Sequence, residues 1–377
     1  MFSAFKTFIE DLDIDKIQDQ RDNFYGYDKS ILSKQIKSMN ATDIEFDDAG
    51  RYEIICSDST AFDCLYFPSE KKKLYISISS GIAFGEQRLY PTFTRWSYSN
   101  IFDGIYICIE DPMYKRYPRG GVMWFFNKKN ESYVYKLRDI IEKIMTHFNI
   151  SPSNLYFLGS SMGGAISIML GNLFSYSNVI SMNAQYHPAS FSPPSKKFFM
   201  EEFDIDISDT TVNNFDFIPR NITTSYFIIT NASSPKDLPQ LKYLSNKISA
   251  PMKYGLHQYG NIALWNHLSG TEHSVFPEKL LFLLVLYYCE MKKKGENLNN
   301  FLNINLLFSE ILYQKYKYVD SIEYYKKQQT ATQLNITKIK KQLRNKNRLL
   351  QTANFRTKML LKKMRRQRFR QQYLALC

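Results

Sequence analysis

The sequence predicts an α/β chain: a mostly parallel sheet with helices on both faces, followed by a helical, strongly basic C-terminal extension. Three observations predict it. Short β-rich runs come first, over residues 51–57, 62–67 and 73–79, separated by turn-like segments as in an antiparallel meander. From residue 104 onward strand-like and helix-like patterns alternate, which is how a parallel sheet covered on both faces reads. Finally, no acidic residue follows Glu323, whereas 16 of the 49 Lys and Arg residues do.

Taken in order, residues 1–40 read as helical and polar, with Phe5, Phe8, Ile9 and Leu12 sharing one face. After the three β-rich runs, 104–109 holds a continuous apolar strand. Residues 131–148 form a helix with Val134, Leu137, Ile140, Ile141 and Ile144 on one side. Leu155, Tyr156, Phe157 and Leu158 make the next strand, and a helical pattern opens at Ala165. Strands follow at 179–182 and 226–230, a helix over 237–248, a last strand over 252–259 and a closing helix over 277–289. Residues 188–222 are rich in Ser, Pro and Asp and lack periodicity. They read as an excursion beside the site, either a lid or substrate wall or a surface loop without a role. The domain expectation is a helical segment over 1–44, a catalytic domain over 45–291 and the helical, basic extension over 292–377.

Composition narrows the class. The chain has 377 residues, 44% of them hydrophobic and 15% aromatic, enough for one large core plus an appendage. The five cysteines form no C-x-x-C pair and read as buried free thiols. The N-terminus turns acidic early and lacks a long apolar stretch, and the longest apolar run, 280–289, is too short to span a bilayer. The expectation is a cytoplasmic protein, at most peripheral at the inner face of the membrane, with no metal and no bound cofactor. The net charge of +13 is unevenly spread: before the tail the chain holds 33 basic and 36 acidic residues, so the excess belongs to the tail alone.

The chemistry centres on Gly159-Ser160-Ser161-Met162-Gly163, a G-x-S-x-G pentapeptide between a strand and a helix, with Gly164 behind it. Such a turn lifts the hydroxyl of the central serine above the sheet edge, and small residues are needed on either side because strand and helix nearly collide. The alternative is a glycine turn that only packs tightly; no Lys follows, as a phosphate loop would require. A serine nucleophile needs a base and an acid that orients it, in the chain order Ser, acid, His. His273 lies just before the closing helix and is the favoured base. His267 is second; His147 reads as surface and His257 as structural, while His187 suits substrate contact. Asp237 is the only carboxylate in the loop after the 226–230 strand, and it also sits where a helix N-cap would. Asp204, Asp206, Asp209 and Asp216 are the alternatives, all preceding that strand. Oxyanion donors are expected from the backbone N–H of Met162 and from the Ser79-Ser80-Gly81-Ile82 loop at Gly81. Arg95 and Trp96 would suit a sugar or an anionic polymer; a partly buried Trp beside a surface Arg is the plain alternative.

The segment 45–291 resembles the α/β-hydrolase superfamily, chiefly through the elbow and the strand order. More narrowly, R-W-S at 95–97, I-E-D-P at 109–112, F-L-G-S-S-M-G-G at 157–164 and N-A-Q at 183–185 resemble bacterial α/β-hydrolase-like proteins of capsule and surface-polysaccharide biosynthesis, some of them O-acetyltransferases. That resemblance implies a triad of Ser161, Asp237 and His273, although the spacing around Asp237 departs from the family pattern. It also implies an acyl-Ser161 intermediate, acetyl-CoA as acyl donor and a polysaccharide acceptor. The alternatives are a carboxylesterase or deacetylase on a glycan ester, a lipase-like enzyme, or a non-catalytic subunit of a polysaccharide-assembly or secretion complex. Residues 326–377 lie outside the resemblance. They suit an anionic membrane surface or acidic assembly proteins better than nucleic acid, since few aromatics interleave with the charges.

Overall fold

The structure, a computed structural model, describes residues 35–81, 90–100, 102–128, 131–188, 193–208, 217–253, 255–267, 273, 285–286 and 288–289. Its strands are β1 (Lys37–Asn40), β2 (Gly50–Ile55), β3 (Ala61–Phe67), β4 (Leu74–Ile78), β5 (Ile105–Ile109), β6 (Phe126–Lys128), β7 (Glu131–Ser132), β8 (Leu155–Ser160), β9 (Asn178–Met182), β10 (Ser225–Asn231), β11 (Gly255–Tyr259) and β12 (Ile262–His267). The helices are α1 (Met113–Arg116), α2 (Tyr133–Phe148), α3 (Met162–Leu173), α4 (Pro193–Phe203) and α5 (Asp237–Lys247).

Ten strands form one sheet in the order β1-β2-β3-β5-β4-β8-β9-β10-β12-β11. Set aside the edge strands β1 and β11 and the separate β6–β7 hairpin. The remaining strands then lie first, second, fourth, third, fifth, sixth, seventh, eighth in chain order. The second of them, β3, runs antiparallel to both neighbours, and the rest of this series pairs in parallel. This is an α/β-hydrolase-like sheet, and it puts the ends of β8, β9, β10 and β12 in succession along one edge.

Local chemistry explains the elements around that edge. The central strands β4, β5 and β9 are buried at every position, as expected where helices cover both faces. Helix α2 begins at Ser132, whose Oγ accepts the Val134 N–H at 3.2 Å, and ends at Asn149 in the left-handed region with φ 54°. Its buried stripe is Val134, Leu137, Ile140, Ile141 and Ile144. Helix α3 is buried along residues 162–171, so its sequence carries no polar face. It lies so close to β9 that a Cβ on Gly171 would stand 2.3 Å from Val179 Cγ2.

Four expectations change. The run at 73–79 does not continue an antiparallel meander: β4 lies between β5 and β8 and is parallel to both. Residues 37–40 are a strand, not part of a helix: β1 pairs in parallel with the open edge of β2, Lys37 opposite Tyr52. It is mostly exposed, so no apolar alternation marks it. Residues 1–34 lie outside the described residues. The final parallel strand is β12 rather than 252–259; β11 is its antiparallel partner across a two-residue turn, Gly260-Asn261, with Gly260 at φ 58°. The excursion contains an eleven-residue helix, α4. It is held by Phe198, Phe199 and Phe203, whose rings meet Tyr117, Trp124 and Phe126. One aromatic cluster anchors it, so no regular stripe announces it. Most of the expected closing helix and all of 292–377 lie outside the described residues; Val285, Leu286, Tyr288 and Cys289 are helical and buried.

Candidate active site

The turn after β8 is built by steric necessity. A Cβ on Gly159 would lie 2.2 Å from the carbonyl carbon of Gly163, and one on Gly163 would lie 2.4 Å from the Ile78 oxygen. Both obstacles are backbone, which cannot step aside, so only glycine fits at either place. Between them Ser161 takes φ 56° and ψ −122°, a conformation that costs an L-residue on the order of 1–3 kcal/mol. It is held there by its N–H donating to Met182 O at 2.9 Å and by its carbonyl accepting from Gln185 N–H at 3.3 Å.

The Ser161 Oγ lies 2.9 Å from His273 Nε2. The other ring nitrogen of His273, Nδ1, is hydrogen-bonded to Asp237 Oδ1. Asp237 is fully buried and is the first residue of α5, so it occupies a helix start and faces the histidine at once. Its backbone N–H donates to the Ser234 carbonyl at 3.1 Å, which fixes where the carboxylate projects. The three residues follow the fifth, seventh and eighth strands of the core series.

Met162 opens α3, and its N–H has no acceptor within the helix. Its Sδ accepts the Trp124 N–H at 3.2 Å, tying the 121–125 loop to the elbow. Gly81 is packed against Val122, where a Cβ would meet Val122 Cγ2 at 3.0 Å. In the same loop the Ser79 N–H goes to Ile109 O and the Ser80 N–H to Thr94 Oγ1.

Arg95 points inward rather than toward solvent. It is 9% exposed, has φ 66°, and its guanidinium donates to Ser160 Oγ, to Ser80 Oγ at 3.2 Å and to Thr94 Oγ1 at 3.2 Å. It therefore clamps the residue before Ser161 to the 79–81 loop. Trp96 is half-buried at the start of a short 3-10 helix, Trp96–Asn100. His187 is joined to α5: its N–H donates to Gln240 Oε1 at 2.8 Å and its ring lies 4.9 Å from that of Tyr243. Burial, with Lys196 and Lys247 nearby, holds its pKa below the ordinary value, so it is neutral at pH 7. His257 sits in β11 and His147 in the last turn of α2. His267 ends β12. Asp204 and Asp206 follow α4, Asp206 pairing with Lys196 at 3.2 Å, and Asp209 and Asp216 lie outside the described residues.

Two groups carry no role in the sequence reading although their motifs stand out there. Gln185 Nε2 donates to Ser161 Oγ at 2.7 Å. Glu110 and Asp111, both fully buried, accept backbone N–H groups: Glu110 from Thr92 at 2.8 Å, Asp111 from Met113 at 3.0 Å and Phe125 at 2.7 Å. The signal for all three was their place in the N-A-Q and I-E-D-P segments, which spacing alone does not translate into a contact. Among the described residues no group of three or more His, Cys, Asp or Glu could hold a metal ion, and no helix is long and apolar enough to cross a membrane.

No family model matches the chain, and no curated protein matches its sequence. Several solved structures are similar in fold. The capsule O-acetyltransferase of Neisseria meningitidis serogroup A is 20% identical, with 62% of this chain and 90% of that one covered at a TM-score of 0.42. The glycosylation-associated Gap123 complex of Streptococcus agalactiae aligns at 14% identity, 65% and 46% coverage and a TM-score of 0.47. An acetyl xylan esterase from Paenibacillus sp. R4 aligns at 12% identity, 62% and 80% coverage and a TM-score of 0.40. The fold itself stands on the strand order and the turn at Ser161: the described chain has an α/β-hydrolase-like fold.

Proposed function

We propose that the protein is a serine-dependent acyl enzyme in which Ser161 is the nucleophile, His273 the base and Asp237 the orienting acid. One observation carries the reading: Ser161 Oγ is 2.9 Å from His273 Nε2, and the opposite nitrogen of that ring is bonded to a buried carboxylate. In the first half-reaction the Ser161 proton passes to His273 Nε2 as Oγ bonds to the acyl carbon. The tetrahedral oxyanion is met by the N–H of Met162 and by the 79–81 loop at Gly81. Collapse breaks the bond to the leaving group, which takes the proton from His273. In the second half an acceptor hydroxyl gives its proton to His273 and its oxygen bonds to the acyl carbon. Oγ then leaves and recovers the proton. A sugar hydroxyl as acceptor makes the enzyme a transferase, and water makes it an esterase.

The finer reading follows the motif resemblance: acetyl-CoA as donor, and a capsular or other surface polysaccharide as acceptor. Arg95 then serves the site through its hold on Ser160 and Ser80, and Trp96 is the proposed sugar contact. The tail would hold the enzyme near an anionic membrane or its assembly partners. The test is to incubate the full chain and Ser161→Ala with acetyl-CoA and map acetylation by peptide mass spectrometry, then add glycans. Wild type should carry acetyl on the Ser161 peptide and lose it faster when an acceptor is present. Equal acetylation of both proteins sinks the mechanism, and loss at one rate with or without any glycan favours the esterase.

A further inference from the structure

We propose that Gln185 is a further catalytic residue of this site, whose side-chain amide binds the reacting oxygen of Ser161 throughout both half-reactions. The inference rests on the acyl-enzyme reading above. Gln185 is fully buried, and its Nε2 donates to Ser161 Oγ at 2.7 Å. Its Oε1 has no hydrogen-bond partner among the described residues. A buried amide is ordinarily satisfied at both ends. Here the end that is satisfied is the one on the nucleophile, and among the described residues the amide links no other element. The backbone places it without help from the amide: Gln185 N–H donates to Ser161 O, and Asn183, at φ 43°, gives its N–H to Ile229 O and accepts Asn231 N–H at 2.7 Å.

The chemistry of such a donor is specific. With one lone pair of Oγ taken by the amide, the hydroxyl proton is directed to His273 Nε2. A carbonyl in the same place would compete with His273 for that proton. As the proton leaves, negative charge gathers on Oγ before it moves to the carbonyl oxygen, and the amide N–H stabilises it there. When the acyl-enzyme breaks down the same charge returns to Oγ as the C–O bond opens, until His273 gives the proton back. The amide therefore acts on acylation and on deacylation, and it donates no proton itself. This separates it from the Met162 and Gly81 amides, which meet the carbonyl oxygen.

The test uses the full chain with Gln185→Met, which keeps length and removes the donor, and Gln185→Glu, which keeps shape and puts an acceptor in its place. A fluorophosphonate probe reports Ser161 nucleophilicity, and p-nitrophenyl acetate separates the acylation burst from steady-state deacylation. Both variants should keep a thermal midpoint near wild type, while labelling, burst and steady state all slow on the order of 100-fold. Wild-type rates in Gln185→Met mean that the side chain only fills space, and overturn the proposal. If Gln185→Met fails to fold, Gln185→Glu decides by the same criterion. Loss of folding in both overturns the proposal too, since the amide then serves the fold. A wild type unlabelled at Ser161, with no burst, removes the Ser161 reading and this inference together. A labelled wild type with unslowed variants removes this inference alone.

Discussion

The most telling conformation in the molecule belongs to one residue. Ser161 is held at positive φ although it carries a Cβ, and the flanking glycines have room for nothing larger. A side chain in that region is strained, and the strain persists because the Met182 and Gln185 hydrogen bonds over-determine the turn. Stability and reactivity therefore oppose each other at this position. Glycine adopts the same backbone without penalty. Ser161→Gly should raise stability by about 1 kcal/mol, less whatever the lost Oγ bonds contribute, while abolishing acylation. Denaturant unfolding of the two proteins checks it. An unstrained Ser161 would leave the variant no more stable, or less so through the added freedom of its unfolded chain.

At the scale of elements, the site is held by loops that two buried acids buttress. Asp111, two residues past β5, accepts the N–H groups of Met113 and Phe125. Residues 124 and 125 both have positive φ, at 50° and 53°, and the Trp124 N–H rests on Met162 Sδ. The carboxylate is thus what keeps two strained residues pressed against the first residue of α3. Removing it leaves two buried donors without their acceptor, each costing about 1–3 kcal/mol. Asp111→Ala should lose about 3 kcal/mol of stability and slow Ser161 acylation more than it weakens substrate binding, because the Met162 amide shifts. Asp111→Asn, which retains one acceptor oxygen, should recover part of both. Unfolding and burst kinetics measured together check this; a stability loss with an unchanged burst would show that the loop does not reach the elbow.

Across the whole molecule, what was legible in the sequence depended on whether a feature is written locally. The elbow was legible because its glycines are a direct steric requirement and its strand is a continuous apolar run. Helix α2 was legible because its apolar stripe and its amphipathic period coincide. The β11–β12 hairpin was not read, although Gly260-Asn261 marks it, because 252–259 alone satisfies the strand pattern. Strand β1 and helix α4 gave no signal, since one is recruited by an open sheet edge and the other by a single aromatic cluster. The placement of Asp237 is written in the fold: only the sheet brings the start of α5 to a histidine 36 residues further along the chain. Likewise Arg95, Asp111 and Gln185 stand in separate segments and converge on one turn, which no local spacing reveals.

The charge distribution is a feature of the whole chain that is read from the sequence alone. With 33 basic and 36 acidic residues before the tail, the body has no long-range attraction for an anionic surface, whereas the tail adds 16 cations and no anions after Glu323. Each cation near such a surface contributes about 1 kcal/mol, within a screening length of about 8 Å at physiological salt. Even a minority of the 16 lying close would hold the protein there, and the attraction would fade as salt rises. The full chain should therefore sediment with phosphatidylserine-containing vesicles and not with neutral ones, and release as ionic strength increases. Truncation after Tyr325 should abolish sedimentation and leave fluorophosphonate labelling of Ser161 unchanged, because no residue of the elbow, the histidine or the buried acid lies in the deleted segment. Undiminished vesicle binding by the truncated chain would remove the membrane reading of the tail.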